Sequence, residues 1–131
     1  MTAMAVIRRP EVFHAAISGA APHDQRLYDT HWRERFLGRP DENPGAYDRS
    51  STIAQAADLT RPLLLIHGIA DDNVVVAHTL RMSSALLAAG RPHQVLPLSG
   101  ATHTPTDENT VSQLLQHQLT FLNDALGIQA G

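Results

Sequence analysis

Two short segments of this chain hold the residue types that acyl transfer needs. Gly68-Ile69-Ala70-Asp71-Asp72-Asn73 offers two adjacent carboxylates, and Ser99-Gly100-Ala101-Thr102-His103-Thr104-Pro105 offers an imidazole. A carboxylate that accepts the Nδ1–H of an imidazole fixes its tautomer and stabilises the imidazolium, leaving Nε2 to take a proton from a nucleophile. Each segment alone has a plainer reading: Asp-Asp-Asn is a common turn or helix cap, and a single His in a Gly/Thr loop is commonly a surface residue. Position joins them. Each follows an apolar run of strand length, and in open parallel sheets functional residues collect beyond the carboxyl ends of the strands. Adjacent strands would bring the two loops within hydrogen-bonding range.

The order Asp then His, after two consecutive strands near the end of the chain, matches the second and third members of a Ser–Asp–His triad in the α/β-hydrolase arrangement. The nucleophile of that arrangement sits on a G-x-S-x-G elbow. None of the seven serines has Gly at both −2 and +2: Ser18 is flanked there by Ala16 and Ala20, Ser99 by Pro97 and Ala101. His67 reads as a packing residue at a strand end, and His14, His31, His78, His93 and His117 share no spacing. His67, Asp71, Asp72 and His103 are chemically able to bind a metal, but no H-x-x-x-H or comparable ligand pair supports one. Neither a metal nor an organic cofactor is implied.

The elements that must position these residues are legible in the second half. Residues 62–68, Pro-Leu-Leu-Leu-Ile-His-Gly, form a continuous apolar run ending in Gly, the pattern of a central parallel strand. Residues 76–89 read as a helix with Val76, Leu80 and Leu87 on one stripe and Gly90 as its stop. Residues 94–98 read as a strand. Val111, Leu114, Leu115, Leu119, Leu122 and Leu126 recur at helical spacing over a closing helix, 110–126. The first half is plainer. A helix over 2–9 closed by Pro10, a strand over 13–17, a loop over 20–25, a helix over 29–37, a turn-rich stretch over 40–51 and a brief helix over 53–59 are expected. Alternating helices and strands predict a parallel sheet covered by helices.

Composition narrows the function classes. The chain has 131 residues, 10 Lys+Arg against 13 Asp+Glu, and a net charge of −3, which argues against a nucleic-acid or anionic-membrane partner. No apolar run approaches the ~18–20 residues of a membrane span. There is no Cys, so disulfides and thiolate metal sites are excluded. With no secretory leader pattern at Met1–Ile7, these features favour a cytoplasmic setting.

Three segments resemble the prolyl oligopeptidase family, in particular its dipeptidyl peptidase IV-like branch. The run Leu64-Leu65-Ile66-His67-Gly68-Ile69-Ala70-Asp71-Asp72-Asn73-Val74 resembles the segment carrying the triad Asp. Tyr28-Asp29-Thr30-His31-Trp32-Arg33-Glu34-Arg35-Phe36-Leu37-Gly38 resembles the segment carrying aromatics of the S1 pocket. Arg9-Pro10-Glu11-Val12-Phe13-His14-Ala15-Ala16 resembles the stretch after the nucleophile helix. Trp32 stands where a tyrosine is usual, and Gln25 where a tryptophan is.

The resemblance implies a role for each matching position. Asp71 would be the triad carboxylate and His103 the general base. Asn73 would bind substrate backbone, and Tyr28, Trp32 and Val74 would line the S1 pocket. It implies an α/β fold, with residues 1–131 forming the C-terminal part of an α/β-hydrolase peptidase domain, truncated at its N-terminus and lacking the nucleophile elbow and an upstream β-propeller. A peptide is the implied substrate, and the C-terminal helix region a surface for homo-oligomer contacts. Alone, such a chain would be inactive. An esterase or acyl-peptide hydrolase of the same fold, or a non-catalytic structural chain, are the alternatives.

Overall fold

The computed structural model describes residues 1–128. Three strands, β1 (Ala16–Gly19), β2 (Leu63–Gly68) and β3 (Gln94–Leu98), form one parallel sheet in the order β1-β2-β3. Among the described residues five helices accompany them: α1 (Thr2–Arg8), α2 (Thr30–Leu37), α3 (Pro44–Ser50), α4 (Ala77–Ala88) and α5 (Glu108–Leu126), with short 3₁₀ turns at Gln25–Leu27 and Ile53–Asp58. Both parallel pairings are crossover connections, as an α/β layered sheet requires.

β2 is central and buried along its whole length. Its side chains alternate between two cores, as strand geometry dictates. Leu63 and Leu65 pack with Val6, Ile7, Leu59, Met82 and Leu86 on one face. Leu64 and Ile66 pack with Phe121 of α5 on the other, with Ile17, Leu96 and Leu114 around them. Register sets Ile66 beside Gly19 and Leu96, and Gly68 beside Leu98. The carboxyl ends of all three strands therefore open at one edge.

Several sequence expectations shift. The first strand begins at Ala16 rather than Phe13, because the chain after α1 stays turned: Val12 and Phe13 N–H groups donate to the Arg9 carbonyl. Phe13 is left 45% exposed. The stretch over 40–51 contains a helix. Asn43 precedes it and Pro44 sits in its first turn, where the missing N–H costs nothing; Tyr47, 1% exposed, donates its hydroxyl to the Gly38 carbonyl at 2.8 Å. The α4 stripe is corrected. Leu80 and Leu87 are exposed, and the buried face is His78, Thr79, Met82 and Leu86, because polar partners beneath α4 take up His78 and Thr79. Along α5, Phe121 is buried and Leu114, Leu122 and Ala125 pack beside it, whereas Val111, Leu115, Leu119 and Leu126 face outward. No described helix is long and apolar enough to cross a membrane.

Candidate active site

The loops after β2 and β3 are laced together by their backbones. Ile69 N–H donates to the Leu98 carbonyl at 3.0 Å, and Ala70 N–H to the Ala101 carbonyl at 3.1 Å. This close approach needs a residue without a side chain at position 68. A Cβ on Gly68 would lie 2.1 Å from the Thr102 carbonyl oxygen and 2.6 Å from that of Ala101. Gly68 is thus the reason the His103 loop can lie over the end of β2.

Asp71 is 5% exposed and fully occupied. Its Oδ1 accepts the N–H groups of Asn73 at 2.9 Å and Val74 at 2.8 Å, an Asx turn of the kind Asp forms readily. Its Oδ2 is left facing His103, whose Nδ1 donates to it at 2.9 Å. Because an ionised carboxylate can only accept, His103 carries its proton on Nδ1 and presents Nε2 as the basic nitrogen. Burial alone would raise the Asp71 carboxyl, but the bonds from His103, Val74 and Asn73 outweigh it and hold it below its ordinary value. The His103 side chain is 44% exposed, so Nε2 is reachable from outside. Beside it a groove of about 360 Å³ opens, bordered by Gly19, Ala20, Gly68, Thr102 and Leu114. Ala20, at the end of β1, takes a left-handed φ of 43°, and its N–H donates to the Ile66 carbonyl.

The remaining candidates divide. Asn73 and Val74 share the Asp71 loop, Val74 buried at 4% exposure and Asn73 on the surface. Tyr28 reaches the same loop, donating its hydroxyl to Asn73 Oδ1 at 3.4 Å, with the Arg33 guanidinium 4.8 Å from its ring centre. Trp32 is half exposed on α2 and packs edge-on against Phe36, ring centres 5.2 Å apart. Asp72 is exposed, in contrast to its neighbour. Among the described residues no cluster of three or more His, Asp or Glu side chains is arranged to hold a metal.

Two buried polar residues escaped the sequence reading. His23, 1% exposed, meets Thr52 Oγ1 at 2.7 Å through Nδ1, and burial, helped by His78 and His67, lowers its pKa to about 4. Thr79, also 1% exposed, meets Nδ1 of His67 at 2.7 Å. A single polar side chain in the apolar run 63–68 was the available signal for this second contact, since a buried imidazole needs partners. A larger cavity, about 490 Å³, lies at the opposite end of the sheet, bordered by Arg61, Arg91 and His93, and contains no paired acid and base.

Residues 1–129 match the model of the prolyl oligopeptidase family. Mouse dipeptidyl peptidase 8 is 34% identical over 130 residues, covering 97% of this chain and 15% of that protein. A probable dipeptidyl-aminopeptidase B of Aspergillus clavatus is 40% identical over 78 residues, 58% of this chain and 8% of the relative. The crystal structure of Porphyromonas gingivalis dipeptidyl peptidase 4 superposes with a TM-score of 0.89 at 33% identity, over 94% of this chain and 18% of that one. The chain therefore spans less than a fifth of the length of these relatives. Its parallel sheet and flanking helices are those of their α/β-hydrolase fold, and the chain belongs to the prolyl oligopeptidase family.

Proposed function

We propose that this chain supplies the acid–base half of a serine-type dipeptidyl aminopeptidase, with Asp71 orienting His103. The observation that carries the reading is the 2.9 Å bond from His103 Nδ1 to an Asp71 carboxylate already fixed by two backbone N–H groups. In the reaction, His103 Nε2 takes the proton of a serine hydroxyl as its oxygen attacks the peptide carbonyl, then returns that proton to the departing amine. Asp71 keeps the ring in the required tautomer and stabilises the imidazolium. The serine must come from outside these 131 residues, since none of the seven present lies on an elbow. Asn73, Tyr28, Val74 and Trp32 are assigned to the substrate side by the family resemblance; for Tyr28 and Asn73 the role is supported by their contact on the Asp71 loop. Association through α5 belongs to the same reading, supported by the outward-facing Val111, Leu115, Leu119 and Leu126; sedimentation at rising concentration tests it.

A chimera decides the central claim. Residues 1–128 replace the matching segment of the Porphyromonas gingivalis dipeptidyl peptidase 4, and release of p-nitroaniline from dipeptide anilides is followed. Activity that falls by about 10³–10⁴ with Asp71→Asn or His103→Ala is the expected result. Equal rates in a folded chimera and its variants would remove the assignment. Turnover of acyl esters without dipeptide anilides would favour the esterase alternative, and a folded chimera without either activity would favour a non-catalytic chain. The isolated chain should show no labelling of its serines by a fluorophosphonate.

A further inference from the structure

The Asp71 loop is held from a second side by a group that the acyl-transfer reading does not use. His67, at the buried end of β2, is 1% exposed. Its Nε2 lies 2.6 Å from the Val74 carbonyl oxygen and 3.4 Å from Asp71 Oδ2, and its Nδ1 lies 2.7 Å from Thr79 Oγ1 in the first turn of α4. A carbonyl oxygen can only accept, so Nε2 carries a proton. Nδ1 of the neutral ring is then an acceptor, and the Thr79 hydroxyl donates to it. The chain of donors runs in one direction: Thr79 O–H to His67, His67 N–H to the Val74 carbonyl. On the other side of the same residue, Val74 N–H donates to Asp71 Oδ1, and Asp71 Oδ2 accepts from His103.

We propose that His67 and Thr79 are positioning residues for the Asp71–His103 pair: they clamp the Val74 backbone from α4 so that the Asx turn keeps Oδ2 directed at His103. Val74 is held at its N–H by Asp71, at its carbonyl by His67 and by burial of its side chain. Without the clamp, Val74 can rotate its peptide planes, and the turn that orients Asp71 loses one of its two N–H donors. The other imidazole tautomer would set two lone pairs against each other at 2.6 Å, so the Val74 carbonyl selects the Nε2–H tautomer, and the Thr79 hydroxyl supplies the donor that the remaining Nδ1 needs. Packing alone does not require this polarity. An apolar residue of similar size would fill the end of β2 without a buried polar atom to satisfy. The inference rests on the proposed acyl-transfer role of the pair, but the geometry it predicts is measurable without turnover.

The test uses the 131-residue chain labelled with ¹⁵N at histidine. Long-range ¹H–¹⁵N spectra should show His67 as the Nε2–H tautomer, and solvent exchange of the His103 Nδ1–H reports the bond to Asp71. Thr79→Val removes the hydroxyl at nearly constant volume, and Thr79→Ser restores it. Thr79→Val and His67→Leu should speed that exchange about tenfold, whereas Thr79→Ser leaves it unchanged. His67→Gln, which offers an amide N–H where Nε2 stands, should recover part of the protection. The Asp71 carboxyl, followed by ¹³C, should titrate higher in Thr79→Val and His67→Leu than in the parent, while β2 and β3 amides keep their protection. Unchanged His103 exchange in folded Thr79→Val, or an Nδ1–H tautomer at His67, would overturn the proposal. If His67→Leu fails to fold, the tautomer and the Thr79 pair decide it. A parent chain with no protected His103 Nδ1–H would instead overturn the acyl-transfer reading, so the two failures are distinguishable.

Discussion

The two loops that meet at the carboxyl edge of the sheet are built in opposite ways. The loop after β2 buries Asp71 to 5% exposure and satisfies it from Asn73, Val74 and His103, with His67 beneath. The loop after β3 leaves the His103 side chain 44% exposed, with the Asp71 bond as the one side-chain hydrogen bond it makes among the described residues. The fold fixes the carboxylate, and the carboxylate fixes the imidazole. That order suits a base that must meet an incoming group: its orientation is set from behind while Nε2 stays accessible. It also means that equal catalytic importance need not mean equal structural importance, a separation that can be measured.

The largest effect should erase the difference between the loops. In the active chimera, Asp71→Asn and His103→Ala should each lower kcat/KM by about 10³–10⁴, and the double variant should fall no further than the worse single one, because the pair acts as a unit. Strictly additive losses, measured on a dipeptide anilide, would mean that the two residues act independently despite their contact.

Acid should next weaken the fold through a buried histidine that lies outside both loops. His23 has a folded pKa of about 4 against 6.5 for the free group, burial being the main cause and His78 and His67 adding to it. A lowered histidine pKa means that the unfolded chain binds the extra proton first. The contribution is therefore whole above pH 6.5, declines as pH falls and is exhausted near pH 4. The shift corresponds to about 3 kcal/mol. Asp71 behaves in the same sense at lower pH: its carboxyl is lowered from 3.8, so its contribution persists through that window and is lost only at more acid pH. Urea unfolding between pH 7 and pH 4 should show the first decline, and His23→Gln should flatten it. A pH-independent midpoint over that range would contradict the burial of His23.

What the sequence alone makes legible follows the same division. The run 62–68 and the Asp-then-His order gave away β2, the two loops and the pair itself, because apolar runs and strand-end polar residues are local signals. The helix at Pro44–Ser50 was also local, marked by Asn43-Pro44, but the surrounding turn residues obscured it. Other features depended on what packs against what. Leu80 and Leu87 face outward because His67 and Asp24 present polar partners to α4, a consequence of tertiary placement that no periodicity contains. His23 is invisible for the same reason, since only the fold brings Thr52 to it. Gly68 looked like the end of a strand, and its need for a bare α-carbon arises from the Ala101–Thr102 backbone 33 residues or more along the chain.

Gly68 joins the two loops, so Gly68→Ala sharpens the comparison by separating them. The new methyl would lie 2.1 Å from the Thr102 carbonyl oxygen, and that contact is backbone, which cannot swing aside as a side chain would. The exposed β3–α5 loop should yield first. A loss of about 1–3 kcal/mol in urea unfolding is expected, together with loss of the His103 Nδ1–H signal while the Asn73 and Val74 amides stay protected. Loss of protection at Asn73 and Val74 with His103 intact would reverse the order of construction inferred above.

The smallest effect belongs to the imidazole itself. In the 131-residue chain, Asp71→Ala leaves the N–H groups of Asn73 and Val74 without their acceptor. The Val74 group is buried, so the cost should be about 1–3 kcal/mol. His103→Ala removes a half-exposed ring and one bond from Asp71, whose Oδ1 contacts remain. Its cost should be about 0.5–1.5 kcal/mol, that of one hydrogen bond, since the vacated Oδ2 becomes reachable by water where the half-exposed ring stood. Paired urea curves at neutral pH measure both. A His103→Ala loss as large as that of Asp71→Ala would mean that the β3–α5 loop depends on the imidazole for its own folding, and the carboxylate would no longer be the sole fixed partner of the pair.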